Sequence, residues 1–133
     1  MALREAVING DIDCIASHHI PQDWDSKTCE FEYARFGMIG LQTSYAAVKT
    51  VLPQLSEEQT AKLFSTNPRK IFKLNNADIK EGNKAELTLF NNESFTLQKE
   101  NIKSKSQNSA FINIHLTGNV AGILTKGNLI LHK

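Results

Sequence analysis

The chain has 133 residues, 41% of them hydrophobic and 22% charged, and a formal net charge of +1. That is enough for one domain with a core, and the interspersed charges argue against a nucleic-acid footprint or a membrane-surface patch. No run approaches the roughly 20 apolar residues of a membrane span and no apolar leader follows Met1, while only two cysteines, Cys14 and Cys29, suit a reducing cytoplasm better than a disulfide scaffold.

Ala2 to Asn9 reads as a helix with Leu3, Ala6 and Val7 on one face, stopped by Gly10. Ile12 to Ala16 is a short apolar run that turns polar at Ser17 and breaks at Pro21, as a buried parallel strand does on leaving its sheet. A lone parallel strand leaves backbone donors and acceptors unpaired, so this one is expected to pair elsewhere in the chain or with another chain. Cys14 within it is expected to be a small buried hydrophobe. The residues just past such a strand are where α/β folds place their chemistry. The long connection from His18 to Ile39, which holds Trp24, is therefore the candidate functional loop.

A helix is predicted from Gly40 to about Leu52, with Leu41, Tyr45, Val48 and Leu52 on the inward stripe and Lys49 opposite. Ser56 with Gln59 makes a capping box for a second helix, with Ala61, Leu63 and Phe64 inward. Thr66 or Asn67 is expected to cap a third, with Pro68 at its first position, where a missing N–H is harmless. Beyond Leu74 the period becomes two. Glu86–Phe90, Phe95–Leu97 and Ile112–Leu116 are strand candidates, and Val120–Leu124 and Asn128–His132 flank the tight-turn pair Lys126-Gly127. Three to five strands are expected after about residue 84, and the basic run Lys99 to Lys105 is read as a solvated loop. The fold class is α+β, divided at 1–74 and 75–133.

Gly10-Asp-Ile-Asp-Cys-Ile-Ala-Ser-His-His-Ile-Pro and Cys29-Glu-Phe-Glu-Tyr-Ala-Arg-Phe-Gly-Met-Ile-Gly-Leu-Gln-Thr resemble the last barrel strand and following loop of dihydroorotase. The resemblance continues, in order, through Leu63-Phe-Ser-Thr-Asn-Pro-Arg-Lys-Ile-Phe, Ile79-Lys-Glu-Gly-Asn-Lys-Ala-Glu-Leu-Thr-Leu-Phe and Ser104-Lys-Ser-Gln-Asn-Ser-Ala-Phe. Dihydroorotases are cyclic amidohydrolases that interconvert carbamoyl-aspartate and dihydroorotate in pyrimidine synthesis. A complete eight-stranded α/β barrel takes about 250 residues. The resemblance therefore implies a C-terminal portion of a (β/α)8 amidohydrolase barrel, one strand plus helices, followed by part of a small β-sandwich.

The same resemblance assigns roles and shows where they depart. In the family an aspartate at the strand end helps hold zinc and acts as general base toward the metal-bound water; His18 stands in its place. Imidazole brings no negative charge to compensate the metal, and a metallated nitrogen cannot also take a proton. His19 and Pro21 keep the pattern, and Gln22 replaces the histidine that meets the substrate carboxylate. Phe36-Gly37 matches a turn that approaches the substrate ring, with Arg35 where the family has proline. On the residues alone, His18-His19 reads as a polar strand exit with no ligand role, because adjacent strand side chains point to opposite faces and do not easily grip one ion.

The family uses zinc, but its other ligands come from earlier strands. No zinc is expected to be held by this chain alone, and the chain alone is expected to be inactive. Self-association through unpaired strand edges is expected; as the alternative to an enzyme fragment, the resemblance implies a non-catalytic homologue that scaffolds aspartate carbamoyltransferase, with which such homologues assemble in some bacteria.

Overall fold

A computed structural model describes residues 2–75 and 78–132, and they divide into two compact units. One unit comprises Met1–Ala16, Leu52–Asn92 and Asn119–Lys133, the other Ser17–Val51 and Glu93–Gly118. Among the described residues no helix is long and apolar enough to cross a membrane.

In the first unit, α1 (Ala2–Asn9) stops as its sequence dictates. Gly10 turns to φ +84, its N–H donates to the Val7 carbonyl at 3.2 Å, and the Asp11 N–H reaches back to Ala6 at 2.8 Å. Those two bonds close a left-handed cap that a side chain would strain. Helix α3 (Glu57–Ala61) starts with the expected reciprocal box: the Gln59 N–H donates to Ser56 Oγ at 3.1 Å and the Ser56 N–H to Gln59 Oε1 at 3.0 Å.

The expected third cap does not form. The chain stays helical through a π turn (Lys62–Thr66) into α4 (Asn67–Ile71); Thr66 and Asn67 both have right-handed helical backbone and Thr66 makes no side-chain cap bond. The Asn67 N–H reaches the Lys62 carbonyl, five residues back. In that register the next donor would serve Leu63, but it is Pro68, which has no N–H. The Leu63 carbonyl is instead filled by the N–H of Ile15 at 3.2 Å. The Asn67 side chain, spared from capping, donates through Nδ2 to the Asp13 carbonyl at 2.8 Å.

Residues 12–16 therefore form no strand among the described residues. The expected parallel strand has no sheet neighbour in the described part of this chain, and its backbone is tied to the helical segment instead. Cys14 is half-buried rather than fully enclosed. Leu52, Leu55 and Leu63 are buried. So is Thr60, while Ala61, expected inward, is exposed. Thr60 can be enclosed because its hydroxyl donates to the Ser56 carbonyl at 2.9 Å.

The sheet has the order β1-β2-β3, with β1 Leu87–Thr96, β2 His115–Thr125 and β3 Asn128–Leu131. The two candidates at 86–90 and 95–97 are one strand, and the stretch from 112 to 124 joins the sheet only from His115. Lys126 and Gly127 take φ +49 and +77, the double positive φ of a two-residue hairpin turn, and Thr125 pairs with Asn128.

In the second unit, α2 (Ser44–Val51) begins four residues later than the periodicity predicts, and Leu41 lies outside it, 66% exposed. Tyr45 is buried as expected and Val48 half-buried, but Ala46 and Lys49 are buried too. Four residues separate Lys49 from Tyr45, so the two share a face of the helix. Gly118, at φ +92, sits where a Cβ would lie 2.9 Å from the Tyr45 ring. Thr50 Oγ1 accepts the Thr117 N–H at 2.8 Å and donates to the Ala46 carbonyl at 2.7 Å, linking α2 to β2. Leu97 and Leu116 are the most enclosed side chains, and truncating such leucines costs about 2–5 kcal/mol.

Candidate functional site

The loop from His18 to Ile39 lies wholly in the second unit. Its two legs meet in an isolated parallel bridge between His19 and Met38, where the Ile20 N–H donates to the Met38 carbonyl at 2.9 Å. Glycine is required at two points. A Cβ on Gly37, which has φ +114, would lie 2.7 Å from the Ile20 carbonyl oxygen, and a Cβ on Gly40 would collide with the Ser17 carbonyl.

His18 is exposed and held at φ +45, an uncommon conformation for a non-glycine residue. His19 is half-buried, and its Nδ1 accepts from the backbone N–H groups of Gly40 and Leu41 at 3.1 and 3.3 Å. A nitrogen receiving those donors has its lone pair committed, and a neutral ring then carries its proton on Nε2. Gln22 Nε2 donates to the Phe36 carbonyl at 3.1 Å, closing the loop on itself. Phe36 is 93% exposed.

The position where the family pattern has proline proves informative. The Arg35 N–H donates to the Ser26 carbonyl at 3.1 Å, a bond proline cannot make, and the Arg35 carbonyl accepts from Lys27 Nζ at 2.6 Å. The tip between them is an aspartate turn. Asp23 Oδ1 accepts the Ser26 N–H at 2.7 Å. Hydrogen bonds from Ser26, with the Arg35 charge adding a smaller share, hold the Asp23 carboxyl below the usual carboxylate range.

Asn108 organises the other wall. Its carbonyl accepts the Ile39 N–H and its Nδ2 donates to the Gly37 carbonyl, both at 2.8 Å. Asn108 carries no role of its own in the sequence pattern; the dense polar run Ser104–Ser109 around it is the one signal that marks it. Beside the loop lies a cavity of about 800 Å3 whose lining includes Gln22, Trp24, Lys27 and Asn108. His19, Ile39 and Gln42 border a second space of about 370 Å3. Lys99 and Lys105, read as parts of a solvated loop, line the larger cavity.

Zinc is the metal the resemblance implies, and the residues at hand do not fit it. Among the described residues no three His, Cys, Asp or Glu side chains converge as a ligand set. His18 and His19 are a poor pair as well, one exposed and the other with Nδ1 already serving two backbone donors. The cysteines, half-buried Cys14 and exposed Cys29, are both free thiols.

No family model matches the chain. Individual proteins do. A dihydroorotase of Endomicrobium trichonymphae is 36% identical over 97% of this chain and 32% of its own length. One from Caldicellulosiruptor saccharolyticus is 36% identical over 97% of the chain and 31% of its own length. Among solved structures, the L-hydantoinase of Arthrobacter aurescens superposes with a TM-score of 0.87 at 23% identity. The D-hydantoinase of a Thermus species does so at 0.85 and 18%, and each comparison covers 98% of this chain and 31% of the other. These neighbours are amidohydrolase barrel proteins, so the α+β arrangement here corresponds to just under a third of such a molecule. The chain belongs to the cyclic amidohydrolases related to dihydroorotase, whose curated members it spans over about a third of their length.

Proposed function

We propose that the chain is the C-terminal part of a dihydroorotase-like amidohydrolase, of the class that opens dihydroorotate to N-carbamoyl-aspartate in pyrimidine synthesis, and that it is catalytically silent as this chain. One observation carries the reading: at the positions that carry the resemblance, hydrogen-bonding atoms are already taken up by backbone groups of the loop and of the two residues that follow it. Gln22 is bonded to Phe36, Arg35 to Ser26, and His19 to Gly40 and Leu41. A site poised for hydrolysis needs a carboxylate free to take a proton and a ligand set for the metal. His18 supplies no such carboxylate.

The purified chain, supplied with zinc, is expected to turn over neither dihydroorotate nor carbamoyl-aspartate, and His18→Asp is expected to leave that unchanged. Metal analysis should find well under one zinc per chain. Turnover by the unaltered chain, or stoichiometric zinc retained through dialysis, would sink the proposal.

A second reading, a non-catalytic homologue that scaffolds aspartate carbamoyltransferase in the cytoplasm, is favoured by the exposed aromatic rings Phe31, Tyr33 and Phe36 on the same loop. Co-sedimentation with that enzyme tests it.

A further inference from the structure

We propose that the larger cavity of the second unit binds a small organic dianion, seated against Trp24 and held by Lys99 and Lys105. This needs neither metal nor turnover, and it shares only Gln22 with the positions the family uses for substrate.

Charge is the first argument. The wall carries Lys27, Lys99 and Lys105 against one acid, Asp23, in a chain whose net charge is only +1. Asp23 already accepts the Ser26 N–H. Lys27 spends one of its three N–H groups on the Arg35 carbonyl. Lys99 and Lys105 have no side-chain partner among the described residues, and Glu100, next in the chain, does not line the cavity.

Donor excess is the second argument. Ser106 Oγ accepts the Asn108 N–H at 3.3 Å and Ser109 Oγ accepts the Phe111 N–H at 3.1 Å. Each hydroxyl thereby keeps its own O–H to donate. These ammonium and hydroxyl donors, beside the side-chain amides of Gln22, Gln107 and Asn108, favour an acceptor-rich, negatively charged ligand. Two unpaired ammonium groups suit two negative charges rather than one. Trp24, 74% exposed, and Ile112 supply apolar surface for the body of the ligand. Carboxylate and phosphate groups share this chemistry.

Trp24 is the only tryptophan, so its fluorescence reports directly on this cavity. Emission of the full chain would be followed while titrating succinate, inorganic phosphate or sodium chloride at matched ionic strength. The expected result is a saturable change with succinate or phosphate and none with chloride; the dianion that saturates at the lower concentration assigns the acidic group. Lys99→Gln with Lys105→Gln should weaken binding by at least about tenfold, while Lys84→Gln, in the other unit, should not. Absence of saturation with both dianions, an equal response to chloride, or unchanged binding in the double variant with native circular dichroism would overturn the assignment. Dianion binding by a chain that also hydrolyses dihydroorotate would refute the silent-site proposal and leave this one standing.

Discussion

At the scale of single residues, the loop is decided by which atoms remain free. Three of the positions carrying the family resemblance, His19, Gln22 and Arg35, place hydrogen-bonding atoms on backbone groups of the loop or of Gly40 and Leu41 just after it. Asp23 anchors the tip, and its carboxyl titrates below its ordinary value, chiefly through the hydrogen bonds from Ser26. A depressed folded value means that the turn's stabilisation is present above the unfolded carboxylate value and disappears as pH falls through the lower, folded one. Acid titration followed by Trp24 emission should therefore show a transition below the usual carboxylate range. Asp23→Asn, which keeps an acceptor but removes the charge, should abolish that transition; an unchanged acid step would show that another group controls the turn. The sequence made the candidate loop legible because Phe36-Gly37 and His18-His19 stand at recognisable positions. It could not show that Gln22 and Arg35 would bond within the loop, because both bonds end on backbone carbonyls that carry no sequence signature.

Among the elements, the π turn between α3 and α4 is where structure departs from the expected helix restart. Pro68 was legible as a helix-start signal, and it does lie in the first turn of α4. The periodicity could not reveal that the helix would run through Ser65-Thr66-Asn67 instead of restarting there. Its continuation depends on a tertiary partner, the Ile15 N–H that fills the Leu63 carbonyl. Strand propensity at Ile12–Ala16 failed for the related reason that propensity supplies no neighbour for a ladder. The hairpin at Lys126-Gly127 and the Ser56 box, whose signals are complete within a few residues, were both legible. Pro68→Ala restores an N–H that can compete for Leu63. Its expected effect is faster amide exchange at Ile15 with the exchange of the Gln59 amide unchanged. Equal protection of Ile15 in both proteins would mean that the missing proline N–H is not what recruits the 12–16 segment.

Across the whole molecule, several large apolar side chains remain uncovered. Phe31 and Phe36 are 93% exposed, Ile79 is 84% exposed, and Tyr33 and Phe72 are each at least 70% exposed. Single exposed apolar residues are ordinary, but several large rings left in water signal an interaction surface. Covering one such side chain is worth about 1.5–3 kcal/mol, so a few of them reach the lower end of the roughly 4–15 kcal/mol entropic cost of association. β3 adds an edge whose residues Asn128–Leu131 are all exposed, with Leu129, Ile130 and Leu131 each more than half accessible. The purified chain is therefore expected to self-associate, with a weight-average mass in sedimentation equilibrium that rises with concentration. Ile130→Lys places a charge on the exposed edge and should lower that mass if the sheet edge is the contact. Phe31→Ser with Phe36→Ser should lower it if the loop rings are. A constant monomer mass across the concentration range would show that the exposed rings and the free edge do not drive association of this chain with itself.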